Sequence, residues 1–136
     1  MDEFEQTLNR LRKYFGELEE FEGSKLENKK DFYAASMILF TIINETILLT
    51  ELFMAKKTFS APLSYKEMID TLREKKVIDE KLASKMKIII QKRNLIAHEY
   101  GEIDRKDIIE LIKKIEVIKE FAALLLKRYY GESHKK

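Results

Sequence analysis

The chain has 136 residues, of which 37% are charged, with a net charge of +2, no cysteine, one proline and four glycines. That length suits a single domain with a hydrophobic core, and the missing cysteines exclude a disulfide framework or a thiolate metal site. The near-balanced charge gives no nucleic-acid signal by itself, and the scarcity of Pro and Gly among many Leu, Ile, Lys and Glu residues predicts an all-α protein.

Taken in order, Phe4, Leu8, Leu11, Phe15 and Leu18 recur at alternating steps of four and three, which predicts a first helix with one core-facing stripe. Glu22-Gly23-Ser24 should end it. Asn28 is placed to cap a second helix, with Asp31 three residues on in the manner of a capping box. From Phe32 to Ala55 this second segment is apolar almost all round. It is long enough to cross a bilayer, but Asn44 and Glu45 at its centre and Glu51 near its end argue against that. A buried central helix is expected instead, and a small bundle leaves part of such a helix uncovered, which suggests a subunit interface. Glu45 admits two readings. Either it orients an arginine further along, Arg93, or it is exposed or bonds locally.

Lys56 to Leu63 holds the only proline and reads as a connection. Ser64-Tyr65-Lys66-Glu67 is a capping box for a short helix to about Glu74, with Met68, Ile69 and Leu72 turned inward. Asp79 can cap the next helix, from Glu80 to about His98. Lys75, Lys76, Lys81, Lys85, Lys87, Lys92 and Arg93 make this the one locally basic stretch, either a phosphate-attracting surface or simply a solvated face. Asp104, with Asp107 as a weaker partner, caps a last long helix. Its stripe of Ile108, Leu111, Ile115, Ile118, Ala122 and Leu125 runs to about Lys127. Residues 129–136 are expected to fray, leaving His134 inert. The fold predicted is an up-and-down bundle of four main helices with the short Tyr65–Glu74 helix inserted, all in one domain over 1–136. The acidic start, Met-Asp-Glu-Phe-Glu-Gln, has no apolar targeting region, so a cytoplasmic protein without a membrane segment is expected.

The chemistry concentrates in Gln91–Asp104, reading Q-K-R-N-L-I-A-H-E-Y-G-E-I-D. On a helix Asn94 and His98 lie one turn apart on one face, and Arg93 lies ~140° round from His98 with a long side chain whose planar fork suits phosphate. Gly101 predicts an αL cap that leaves His98 and Tyr100 in the final turn. His98 and His134 are the only histidines, and no carboxylate cluster, glycine-rich phosphate loop or nucleophile elbow is present, so no metal site or cofactor is expected. Arg93 and His98 remain. Cleavage of an RNA phosphodiester needs a base for the 2′-OH, an acid for the leaving 5′-oxygen and a cation for the developing charge. One histidine cannot be both acid and base in one step. Near a helix C-terminus its protonated form is favoured, which suits the acid. The structural reading of the same pair is a helix end tied down by side-chain bonds to backbone carbonyls.

Arg93, four residues, His98, one residue and Tyr100, with Asn94 directly after the arginine, resembles the signature of the HEPN superfamily. More narrowly, it resembles the HepT-like toxins encoded beside a minimal nucleotidyltransferase antitoxin. The flanking P-L-S-Y-K-E-M-I-D-T-L-R-E-K-K-V-I-D-E-K-L and E-I-D-R-K-D-I-I-E-L-I extend the likeness over about half the chain. The resemblance implies a HEPN-like bundle and a homodimer or higher assembly that brings two copies of the motif together. It also implies the toxin of a type VII-like toxin–antitoxin pair, a metal-independent endoribonuclease acting on RNA. Arg93 and His98 would be catalytic, Asn94 and Glu45 supporting, and Tyr100 the acceptor for silencing adenylylation by the nucleotidyltransferase. HEPN proteins also include members that only bind, so the second reading is a non-catalytic helical dimer that holds the nucleotidyltransferase or a nucleotide.

Overall fold

A computed structural model of the chain describes residues 1–98 and 104–131, and for 95, 97 and 98 it describes the backbone alone. Six helices and no strand occur among the described residues: α1 (Glu3–Glu19), α2 (Lys29–Lys56), α3 (Tyr65–Glu74), α4 (Glu80–His98), α5 (Arg105–Lys113) and α6 (Ile115–Gly131). This is the all-α bundle expected. The N-terminal caps predicted at Asn28, Ser64 and Asp79 are in place, and Asp2 adds one for α1 that the sequence did not point to; the αL cap predicted at Gly101 lies outside the described residues. Asp2 accepts from Glu5 N–H, Asn28 from Lys30 and Asp31, Ser64 from Glu67, and Asp79 from Leu82. Each satisfies a backbone donor that the helix cannot pair internally. Asp104 and Asp107 form a reciprocal capping box, a stronger arrangement than the sequence suggested.

α2 is the axis of the bundle and packs against α1, α4, α5 and α6. Its Leu39, Ile42, Ile43, Leu49 and Phe53 are buried, as are Thr46 and Thr50, whose hydroxyls donate to the carbonyls one turn back. By length and composition α2 is the only described helix able to cross a membrane, but 44% of its most apolar window is buried against neighbouring helices. A stripe of it stays open. Tyr33 and Met37 are 53% and 59% exposed, and Thr41, Asn44, Leu48 and Leu52, at steps of three and four, are partly so.

Two expectations about the C-terminal part need correction. The predicted last long helix is two helices, broken at Lys114, where three-residue hydrogen bonds (Lys114 N–H to Leu111, Val117 N–H to Lys114) interrupt the α pattern. Buried Ile112, Ile115, Ile118 and Phe121 follow one another at steps of three. An α-helix rotates such a series by ~60° per step, whereas a tightened turn keeps it facing the core. The fraying expected from residue 129 does not begin there either. α6 continues to Gly131, the Tyr129 ring stacks on Phe4 at 3.8 Å between centroids, and its hydroxyl donates to Asp2 at 2.9 Å. Tyr130 donates to Glu5. The Asp2 carboxyl is held below its usual range, first by the Glu5 N–H and then by Tyr129, while burial raises the Tyr129 phenol. Together with Lys119 on Glu19 at 3.0 Å, these contacts clamp α6 antiparallel along α1. His134 lies outside the described residues.

Candidate functional site

The site begins where α4 crosses the middle of α2. Arg93 reaches from α4 to Asn44 and donates through Nη1 to its Oδ1 at 3.0 Å. The guanidinium carbon lies 5.1 Å from the centroid of the Tyr65 ring, at the first turn of α3. Its Nε is buried and has no hydrogen-bond partner among the described residues. A buried donor left unpaired costs ~1–3 kcal/mol, and a guanidinium meeting only a neutral amide and a ring keeps its whole charge.

Glu45 does not orient Arg93. Its carboxylate accepts from Arg10 of α1 at 3.0 Å, with the Glu45 side chain 20% exposed and that of Arg10 42%. The reason is rotational. Neighbouring residues on a helix point ~100° apart, so Asn44 faces α4 while Glu45 faces α1. Arg10 is further tied to Thr7 at 3.1 Å. The nearest carboxylate in sequence to the arginine's anchor is thus already engaged. Sequence reasoning missed Asn44 and Tyr65 as partners of Arg93, although Asn44 had been singled out as a polar residue in the centre of an apolar helix. By charge alone a carboxylate is the better mate for a cation, and only the packing of α1 decides otherwise.

Asn94 is exposed on α4, one turn before His98, whose backbone is helical. The side chain of His98, together with Tyr100 and Gly101, lies outside the described residues. Asp104, the first residue described after His98, is extended (φ −124°, ψ −179°). Of the basic stretch, Lys87 is bound to Asp70 at 2.5 Å. Lys81 and Lys85 are exposed, and they and Lys92, partly so, fall on one face of α4 with exposed Ile88 between them. No group of three or more residues able to hold a metal ion occurs among the described residues.

A family model described as Ribonuclease HepT-like matches residues 4–125, most of the chain. The chain belongs to the HepT-like ribonuclease family. Searches of the curated proteins and of the solved structures found no match. HepT-like membership supports a HEPN-type ribonuclease function, and the helical bundle agrees with it.

Proposed function

We propose that this HepT-like protein is the toxin of a toxin–antitoxin pair and cleaves RNA without a metal ion. Arg93 carries the reading. A structural arginine at a helix–helix contact normally has its charge answered by a carboxylate, because a buried unpaired ion is costly. Among the described residues Arg93 has Asn44, a ring and an orphaned, buried Nε instead, which leaves its charge unanswered by a carboxylate and free to meet a phosphate. In the reaction, a base removes the 2′-OH proton and that oxygen attacks the adjacent phosphorus. Arg93 stabilises the charge on the non-bridging oxygens, and a protonated His98 gives its proton to the departing 5′-oxygen. The products are a 2′,3′-cyclic phosphate and a 5′-hydroxyl. The second acid–base group is His98 of another copy in a homodimer, in the cytoplasm where the RNA is.

The test is cleavage of single-stranded RNA in EDTA. His98→Ala and Arg93→Ala should each lose at least a hundredfold in rate, the scale expected for removing a proton donor or an electrostatic stabiliser. Arg93→Ala should melt close to the parent, since it deletes a donor that is already unsatisfied. If Arg93→Ala unfolds instead, or His98→Ala cleaves as fast as the parent, the non-catalytic binding reading takes over.

Regulation completes the proposal. Tyr100, two residues after His98, is the acceptor for adenylylation by a minimal nucleotidyltransferase partner. The added phosphodiester would pair with Arg93 and occupy the cation that the transition state needs. After co-expression with such a partner, AMP adducts should map to Tyr100 by mass spectrometry and vanish in Tyr100→Phe. A partner that silences Tyr100→Phe equally well would show inhibition by binding alone.

A further inference from the structure

We propose that Tyr65 is a positioning residue for Arg93, acting through the face of its ring to fix the plane of the guanidinium. The inference rests on the ribonuclease reading of Arg93 and adds a residue to it. α3 and α4 run antiparallel and are tied at successive rungs, Arg73 near Glu80 at 3.5 Å, then Asp70 on Lys87 at 2.5 Å. Tyr65 beneath Arg93 is the next rung of the same ladder, at the end where α3 begins. The backbone there is held twice. Ser64 accepts from Glu67 N–H at 3.1 Å, and the Glu67 carboxylate accepts from Leu63 N–H. Tyr65 itself is 39% exposed, more than a core aromatic would be, and no hydrogen bond of its hydroxyl occurs among the described residues. What it offers Arg93 is the ring.

Two contacts from different sides restrict the orientation of a planar group. Asn44 supplies one through Nη1, and the Tyr65 ring, its centroid 5.1 Å from the guanidinium carbon, the other. Nη2 is left over for a phosphate oxygen, and Nε beside it is buried without a partner among the described residues. A carboxylate in place of Tyr65 would hold the arginine as firmly but would cancel its charge. A ring attracts the cation through its quadrupole and leaves the charge available, in an interaction strong enough to shift a rate by up to tenfold or more.

The experiment compares Tyr65→Phe and Tyr65→Leu in steady-state RNA cleavage in EDTA. Tyr65→Phe should retain the parent kcat within about twofold. Tyr65→Leu should lose about tenfold in kcat with KM and the pH profile unchanged and the melting temperature close to the parent's, because an exposed ring contributes little to the core. Parent-like cleavage by Tyr65→Leu, an equal loss in Tyr65→Phe, or a loss carried by KM would each overturn the proposal. A second readout does not depend on activity. The Arg93 Nε–H resonance, identified by its absence in Arg93→Lys, should carry a ring-current shift that Tyr65→Phe keeps and Tyr65→Leu removes. If the parent fails to cleave any RNA, the ribonuclease reading falls on its own. The resonance then judges the ring contact, and a shift indifferent to Tyr65 overturns it.

Discussion

At the scale of single residues, Thr58 holds an uncommon position. It closes α2 with φ +58°, its N–H donating to Ala55 and the next N–H, of Phe59, to Met54. Lys76 does the same after α3 with φ +62°, its N–H donating to Arg73 and that of Val77 to Leu72. Both are Schellman ends, a motif that usually puts glycine at the left-handed residue. That conformation costs a non-glycine residue ~1–2 kcal/mol, and glycine gives back ~0.5–1 kcal/mol through the freer unfolded chain. Thr58→Gly should therefore stabilise the protein by about 0.5–1 kcal/mol, and Lys76→Gly by less, since a β-branched side chain is the worse fit. Urea unfolding at fixed protein concentration measures both. An unchanged or lowered midpoint for Thr58→Gly would show that its side chain repays the strain. The same scale explains why the partner of Arg93 was illegible in the sequence. The choice between Asn44 and Glu45 turns on one residue's rotation about α2, and that is set by Arg10 on a different helix.

Among the elements, legibility followed the presence of local chemistry. α3 has the predicted limits and α4 the predicted start because Ser64 and Asp79 announce them. Gly23, with φ +79° just beyond α1, marks its end as expected. The break between α5 and α6 has no proline or glycine to signal it. Its cause is a register of core residues at steps of three, visible only as a slight departure from the helical period. The end of α6 was misread for another reason. Arg-Tyr-Tyr followed by a polar tail looks like a frayed terminus, yet Tyr129 is 9% exposed because Phe4 and Asp2 of α1 receive it. Contacts between the two ends of a chain leave no trace in local pattern. What matters for the site is that the Arg10–Glu45 pair holds α1 on a different face of α2 from the one that Arg93 meets at Asn44.

At the scale of the whole molecule, the open stripe on α2 is the feature that one copy of the chain does not explain. It runs from Tyr33 through Met37, Asn44 and Leu48 to Leu52, about 29 Å along the helix, and Asn44 lies near its middle. A stripe ~10 Å wide over that length offers ~300 Å², whereas a stable interface takes ~800 Å² from each partner. A second copy seated there must therefore also cover neighbouring surface, and exposed Ile88 on α4 and Leu63 before α3 are apolar candidates for it. A two-fold axis passing near Asn44 would set two Arg93 guanidinium groups across one cleft, each with its His98 on the same helix, and would supply the second acid–base group that the chemistry requires. Met37→Glu tests this arrangement. It places a carboxylate on the open stripe two turns from Asn44, clear of the Arg93 contacts. The parent should run as a dimer at micromolar concentration in analytical ultracentrifugation. Met37→Glu should shift towards monomer, keep its helical circular-dichroism spectrum, and lose RNA cleavage in proportion to the dimer lost. Mixing it with an excess of His98→Ala should not restore activity, since the glutamate blocks either pairing. A monomeric parent, or a Met37→Glu protein that stays dimeric and active, would place the second catalytic group elsewhere and leave α2 without a partner.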